Sequence, residues 1–351
     1  MKYPAVLSFA DILPDLDGFD TIIDARSEGE FALDHLPGAI NCPVLSNEER
    51  VRVGTLYKQV GSFEAKKLGA ALVARNIARH IDEQFADKPK DWKPLVYCWR
   101  GGNRSGSLAH ILAKIGWPVI QLDGGYKAYR AHVSTALEAP PELDWRVICG
   151  TTGSGKSRLL ETLDAIGAQV LDLERLAAHR GSVLGHLPHE PQPTQKMFET
   201  RIWDLLRRFD PSRPVFVESE SKKVGNLRVP GAVMDRMRAA PCIAVHLSRP
   251  NRVRLLMEDY EHFARDPGAL NGQLDHLVQL HGRARIDAWH TLANNGAMPE
   301  LVDQLLVEHY DPAYLRSIDR NFVQYGQAQV LELGDIAEQD FVRAAQALHA
   351  A

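Results

Sequence analysis

In the stretch 95–105, LVYCWRGGNRS, one cysteine is followed by two glycines and two arginines. Leu95, Val96 and Tyr97 read as a buried strand that ends at Cys98, and an apolar helical pattern resumes at Leu108. A thiol above a glycine-bearing loop that enters a helix N-terminus sits in a field that favours anions. The helix dipole supplies partial positive charge, and Arg100 and Arg104 supply full charges. Such a site favours the thiolate, the nucleophilic form, and suits a tetrahedral phosphate-like oxyanion beside the sulfur. An inert cysteine at a buried strand end is the bland alternative. The glycine and arginine content of the loop weighs against it.

A second constellation lies in the middle of the chain. Trp145 to Cys149 forms a short apolar strand, followed by Gly150, Thr151, Thr152, Gly153, Ser154, Gly155, Lys156 and Ser157. This is a complete G-x-x-x-x-G-K-S, and Leu159, Leu160, Leu163 and Ile166 continue it as an amphipathic helix. The glycines allow backbone N–H groups to curl round phosphate, Lys156 neutralises it, and Ser157 can ligate Mg²⁺. A nucleoside triphosphate is the usual ligand, but any diphosphate suits the same cradle. Further on, a strand from Pro214 to Val217 leads into Glu218, Ser219 and Glu220, with Lys222 and Lys223 beyond. On a continuing strand Glu218 and Glu220 share a face, where they could hold a metal or act as a base. A solvated strand end is the competing reading.

The elements that must position these residues alternate. Strands are expected over 20–25, 39–42, 95–97 and 118–122, with helices over 63–85 and towards 117, which implies a parallel sheet with helices on both faces. Consecutive prolines at Pro140 and Pro141 place a linker over 138–143, separating a first domain, 1–137, from a second, 144–351. The second domain shows further strands over 169–173, 243–247 and 329–333. A mostly helical region spans 256–320, broken at Gly272, Gly282 and Gly296.

Composition limits the function classes. An apolar fraction of 45% and a charged fraction of 25% are those of a soluble globular chain. The N-terminus has no secretory pattern, and no apolar run is long enough to span a bilayer, so no membrane partner is expected. Cys42, Cys98, Cys149 and Cys242 are scattered without a C-x-x-C pair, which argues against zinc, haem attachment or a disulfide framework and fits a reducing cytoplasm. Between Lys196 and Arg254, thirteen Lys/Arg face six Asp/Glu, in a chain whose net charge is −4. That local surplus suggests a surface for a phosphate backbone, although solvated helix faces often explain such runs.

Asp24-Ala25-Arg26-Ser27 with Glu30-Phe31, then His35-Leu36-Pro37-Gly38-Ala39-Ile40, the Cys98 loop and Leu122-Asp123-Gly124-Gly125-Tyr126 resemble a rhodanese domain. The resemblance implies a cysteine that carries sulfur or selenium as a persulfide or its selenium analogue. The loop departs from many sulfurtransferases: Cys98 to Arg104 is C-x5-R, the spacing of rhodanese-related phosphatases. Together with the P-loop and its V-E-S-E-S-K-K-V-G stretch, the whole chain resembles the tRNA 2-selenouridine synthase family. This implies an α/β protein, an N-terminal rhodanese-like parallel-sheet domain followed by a P-loop NTPase-like domain with a helical C-terminal part.

It further implies a tRNA-modifying transferase that replaces the sulfur of wobble 2-thiouridine by selenium. Selenophosphate and geranyl diphosphate would be the co-substrates, an S-geranylated tRNA the intermediate, and a selenophosphate-producing enzyme a partner. In that reading Cys98 is catalytic, Arg100, Gly101, Gly102, Arg104 and Ser105 bind selenophosphate, and residues 150–157 bind the diphosphate. Glu218, Glu220, Lys222 and Lys223 serve metal, tRNA or proton handling. Two readings of other classes stay open on the residues alone. One is a phosphatase or sulfurtransferase fused to an ATP-dependent kinase-like domain; the other is a nucleotide-switched RNA-binding protein in which Cys98 is incidental.

Overall fold

The computed structural model describes residues 3–182, 185 and 190–350. The chain divides into two compact units, Met1–Ala136 with Thr194–Trp203 and Leu137–Pro193 with Asp204–Ala351.

In the first unit, β1 (Ala5–Leu7), β2 (Thr21–Asp24), β3 (Ala39–Asn41), β4 (Pro94–Tyr97) and β5 (Ile120–Leu122) form one sheet in the order β1-β5-β4-β2-β3. Every neighbouring pair is parallel. β4 is buried along its whole length, which explains its unbroken apolar run: in a parallel sheet covered on both faces no position is left for alternation. Ile23, Val96, Leu108, Leu112 and Trp117 belong to the core beneath the Cys98 strand. The helix expected over 63–85 runs Ser62–His80 and finishes in a wider turn, Ile81–Phe85.

The second unit holds β6 (Asp144–Cys149), β7 (Gln169–Leu171), β8 (Pro214–Glu218), a two-residue hairpin of β9 (Lys223–Val224) and β10 (Leu227–Arg228), β11 (Cys242–Leu247) and β12 (Gln329–Leu333). Its main sheet is parallel in the order β12-β11-β6-β8-β7, so the strand feeding the P-loop lies at the centre. The helices Lys156–Ala165 and Glu338–His349 contribute Leu159, Leu160, Leu163, Phe341 and Ala345 to the core of this sheet. A separate helical core gathers Leu270, Leu274, Ile286, Trp289, Leu301 and Leu305.

Two expectations change. Gly272 does not break the helical region; it lies inside the helix Pro267–Leu274, while Gly282 and Gly296 do fall between helices. Gly272 keeps ordinary helical backbone, so its lack of a side chain costs propensity without ending the helix. Apolar periodicity over 197–209 predicts a helix within the second domain; the helix runs Gln195–Leu206, and Thr194–Trp203 belong to the first unit. Tyr129 donates its hydroxyl to Thr200 Oγ1 at 2.9 Å, and Trp203 meets the Tyr129 ring edge-on at 5.6 Å. Helical periodicity identifies the apolar face but not which sheet it covers.

The Asp-Ala-Arg-Ser signature has a structural basis. Arg26 and Asp24 form an ion pair at 2.6 Å with side chains 1% and 0% exposed. Arg26 also donates to the Asp34 carbonyl at 2.6 Å and lies 4.0 Å from the centre of the Tyr126 ring. Removing one partner strands a buried charge. Arg26→Met is therefore expected to lower stability by about 3–5 kcal/mol, measured by urea unfolding of the intact chain.

Candidate functional site

Cys98 follows the last residue of β4 and is 2% exposed. The loop beyond it turns through Gly101 and Gly102, whose φ values of +71° and +72° lie in the left-handed region, and the helix Asn103–Ile115 begins at once. The Cys98 carbonyl accepts a hydrogen bond from Tyr126 N at 2.7 Å, and the Trp99 carbonyl one from Lys127 N at 3.1 Å, so the 122–126 motif pins the start of the loop. Trp99 stacks on Tyr126 with ring centres 5.4 Å apart.

The expected oxyanion residues take three different positions. Ser105 is buried and donates its hydroxyl to Cys98 Sγ at 3.2 Å. Arg104 is held by Glu30, Nη1 to Oε2 at 2.7 Å and Nη2 to Oε1 at 3.3 Å. Arg100 is exposed. Burial pushes the Glu30 carboxyl up, but its hydrogen bonds and charge pairing with Arg104 outweigh this and hold it at about 2. Arg104 is thus an oriented cation rather than a free one.

In the second unit β6 leads through residues 150–155 into the helix Lys156–Ala165. Lys156 Nζ donates to the Gly150 carbonyl at 2.7 Å, and Gly150 N donates to the Tyr314 hydroxyl at 2.6 Å. Arg252, paired with Asp311 at 2.5 Å, donates from Nε to the Thr152 carbonyl at 2.9 Å. Gly155 has φ +91°, and a Cβ there would collide with the Phe341 ring. Ser154 Oγ is buried without a hydrogen-bond partner among the described residues, as is Glu218 Oε2. Ser157 donates its hydroxyl to Glu174 Oε2 at 3.0 Å.

Glu218 and Glu220 do not share a continuing strand, because β8 ends at Glu218. Glu218 is buried, and its Oε1 accepts from Glu174 N at 2.9 Å; Glu220 instead lines a cavity of about 550 Å³ with Lys156, Ser157 and Glu174. Burial, then the negative charge of Glu220, pushes Glu174 up to about 8. Burial also pushes Glu218 up, with Asp172 and Glu174 adding to it. It pulls Lys156 down, opposed by Glu174 and Glu220. A smaller apolar pocket of about 50 Å³ shares Thr152, Ser182, Leu256, Tyr260 and Tyr310 with the cavity.

Lys222 and Lys223 stand exposed at the β9–β10 hairpin and do not line the cavity. The basic surplus over 196–254 is largely answered from outside that stretch: Arg236 pairs with Glu142, Arg249 with Asp303, Arg252 with Asp311 and Arg254 with Asp335. Nothing local in the sequence marks Tyr314 or Arg252 as P-loop partners, because these contacts span 164 and 100 positions, and the same holds for Tyr310, which lines the cavity. Glu174 is different. Its position just after β7, beside Asp172, was a usable signal.

Because Glu174 ordinarily titrates at 4.5 and stands at about 8 here, the folded chain binds a proton across that window that the unfolded chain lacks. Stability should therefore fall as pH rises from about 5 to 8. Glu174→Gln should flatten this slope, Glu218 and Glu220 retaining part of it, as measured by urea unfolding at several pH values.

Comparison with known proteins agrees with both halves of this geometry. Residues 9–132 match the rhodanese-like domain family, and residues 143–268 match the family described as tRNA 2-selenouridine synthase AAA domain. A tRNA 2-selenouridine synthase of a Sulfurovum species is 32% identical over 89% of this chain and 93% of its own length. That of Shewanella halifaxensis is 32% identical over 85% and 89%. That of Nitrosomonas europaea is 37% identical over 68% of this chain, a match spanning 63% of that relative. With a rhodanese-like unit, a P-loop unit and two of these relatives matched along 89% and 93% of their own length, the chain belongs to the tRNA 2-selenouridine synthase family.

Proposed function

We propose that this chain modifies tRNA by replacing the sulfur of a wobble 2-thiouridine with selenium, using selenophosphate and geranyl diphosphate. One observation carries the reading: a single chain of this family holds both a thiol at the foot of a glycine and arginine loop and a P-loop facing a large cavity. Each suits one phosphorus-containing co-substrate.

At the P-loop, residues 150–157 would hold the diphosphate, with Lys156 leaving its own loop carbonyls to meet it. The thiocarbonyl sulfur supplies the electron pair for a bond to the allylic carbon. The carbon–oxygen bond breaks, and diphosphate departs with its pair. The uridine N3 proton passes to Glu220, the cavity carboxylate beside Glu174. Ser157 and Glu220, which line the cavity, would be the residues to meet a hydrated Mg²⁺, which would supply charge neutralisation to the diphosphate when bound. Among the described residues no group of three His, Cys, Asp or Glu side chains is arranged to hold a metal unaided.

At Cys98, attack on the selenium of selenophosphate would have to expel phosphorus as phosphite. Attack on phosphorus is redox-neutral: the sulfur–phosphorus bond forms, hydrogen selenide leaves, and water later hydrolyses the cysteine S-phosphate. The C-x5-R spacing from Cys98 to Arg104 suits this course, with Glu30 aiming the guanidinium and Ser105 steadying the sulfur. Hydrogen selenide then adds to C2 of the S-geranylated base, geranylthiolate leaves, and a proton moves to N3. Alkylation has converted a poor leaving group into a good one.

The test is mass spectrometry of wobble nucleosides from cells lacking the protein and complemented with variants. Cys98→Ser should lower 2-selenouridine about 100-fold or more while geranylated 2-thiouridine accumulates; Lys156→Ala should stop at 2-thiouridine. Selenouridine unchanged in every strain would overturn the reading.

A further inference from the structure

The larger cavity and the apolar pocket meet at Thr152, Ser182, Leu256, Tyr260 and Tyr310. Thr152 belongs to the P-loop, so the junction begins where a bound diphosphate would end. Beyond it the pocket is walled by Phe263, Leu270, Met298, Leu301, Val302 and Leu305. A nucleoside carried on the same diphosphate would bring ribose hydroxyls and base edges into this space, where the wall offers hydrocarbon in place of partners. A hydrocarbon tail meets no such penalty and gains by leaving water.

From this geometry we infer that the apolar pocket receives the isoprenoid tail of the allylic diphosphate, and that Met298 and Val302 limit its length. The assignment rests on the proposed use of geranyl diphosphate and adds to it the residues that choose among chain lengths. Tyr260 and Tyr310 stand at the neck, where the allylic carbon joins the diphosphate. As the carbon–oxygen bond breaks, positive charge builds on that carbon, and an aromatic face is the side chain suited to meet it. The Tyr260 ring already does so for a cation, with the Arg180 guanidinium 4.7 Å from its centre. With a volume of about 50 Å³, the pocket takes only the end of a chain, so its depth sets a length limit.

The experiment measures kcat/KM for tRNA alkylation with dimethylallyl, geranyl and farnesyl diphosphates, using the full chain. Met298→Ala opens the floor and should raise the farnesyl-to-geranyl ratio about tenfold or more. Val302→Phe fills the pocket and should raise KM for geranyl diphosphate about tenfold, with dimethylallyl diphosphate and inorganic pyrophosphate binding little changed. Val302 is only partly buried, so this variant tests the assignment even if Met298→Ala folds poorly. If wild type alkylates with geranyl diphosphate but Val302→Phe keeps the same chain-length preference, the pocket assignment is wrong and the geranyl reading survives. If wild type neither binds nor consumes any allylic diphosphate, both fall together.

Discussion

The second unit is built around a lysine held in an acidic setting. Lys156 is turned back onto the Gly150 carbonyl of its own loop while Glu174 and Glu220 face it across the cavity. An ammonium drawn out of water in this way leans on that carbonyl, on the carboxylates and on the Tyr314 ring, whose centre lies 5.5 Å away. The rest of the unit holds the arrangement in place. Tyr314 engages the Gly150 amide, Arg252 with Asp311 grips Thr152, and Phe341 closes against Gly155. The diphosphate proposed for this site would relieve the conflict by giving Lys156 a polyanion in place of carbonyl oxygens.

The first unit solves a related problem differently. Its cation, Arg104, is already paired with Glu30 before any anion arrives, so the guanidinium is aimed rather than released. Below it the buried Asp24 and Arg26 pair ties β2 to the Asp34 carbonyl and the Tyr126 ring. Tyr126 in turn donates its backbone amide to the Cys98 carbonyl. The thiol loop is therefore tied, through Tyr126, to an ion pair that is wholly buried. One unit holds its cation against its own loop carbonyl and the other holds it against a neighbouring carboxylate.

Much of this was legible in the residues. The alternating strands, the Cys98 loop and the P-loop have local signatures, because backbone geometry at a strand–loop–helix junction is dictated by neighbours in sequence. What was not legible is long-range. Nothing in the helical region marks Tyr310 and Tyr314 as cavity residues, and nothing in the run from Lys196 to Arg254 says that its arginines are met by Glu142, Asp303 and Asp335. Arg104 reads as a free cation until Glu30 is seen beside it, although Ser27 and Glu30 already had capping-box spacing. The helix Gln195–Leu206 shows the same limit, since its apolar face is evident but the sheet it covers is not.

The proposed function requires a P-loop cradle that takes a diphosphate with an apolar tail in preference to a nucleotide. Calorimetric titration of the purified full chain with geranyl diphosphate and with ATP, each in the presence of Mg²⁺, tests it most directly. Geranyl diphosphate should bind, ATP should bind at least about tenfold more weakly, and Lys156→Ala should abolish the geranyl diphosphate signal. Tight ATP binding with no detectable geranyl diphosphate binding would contradict it.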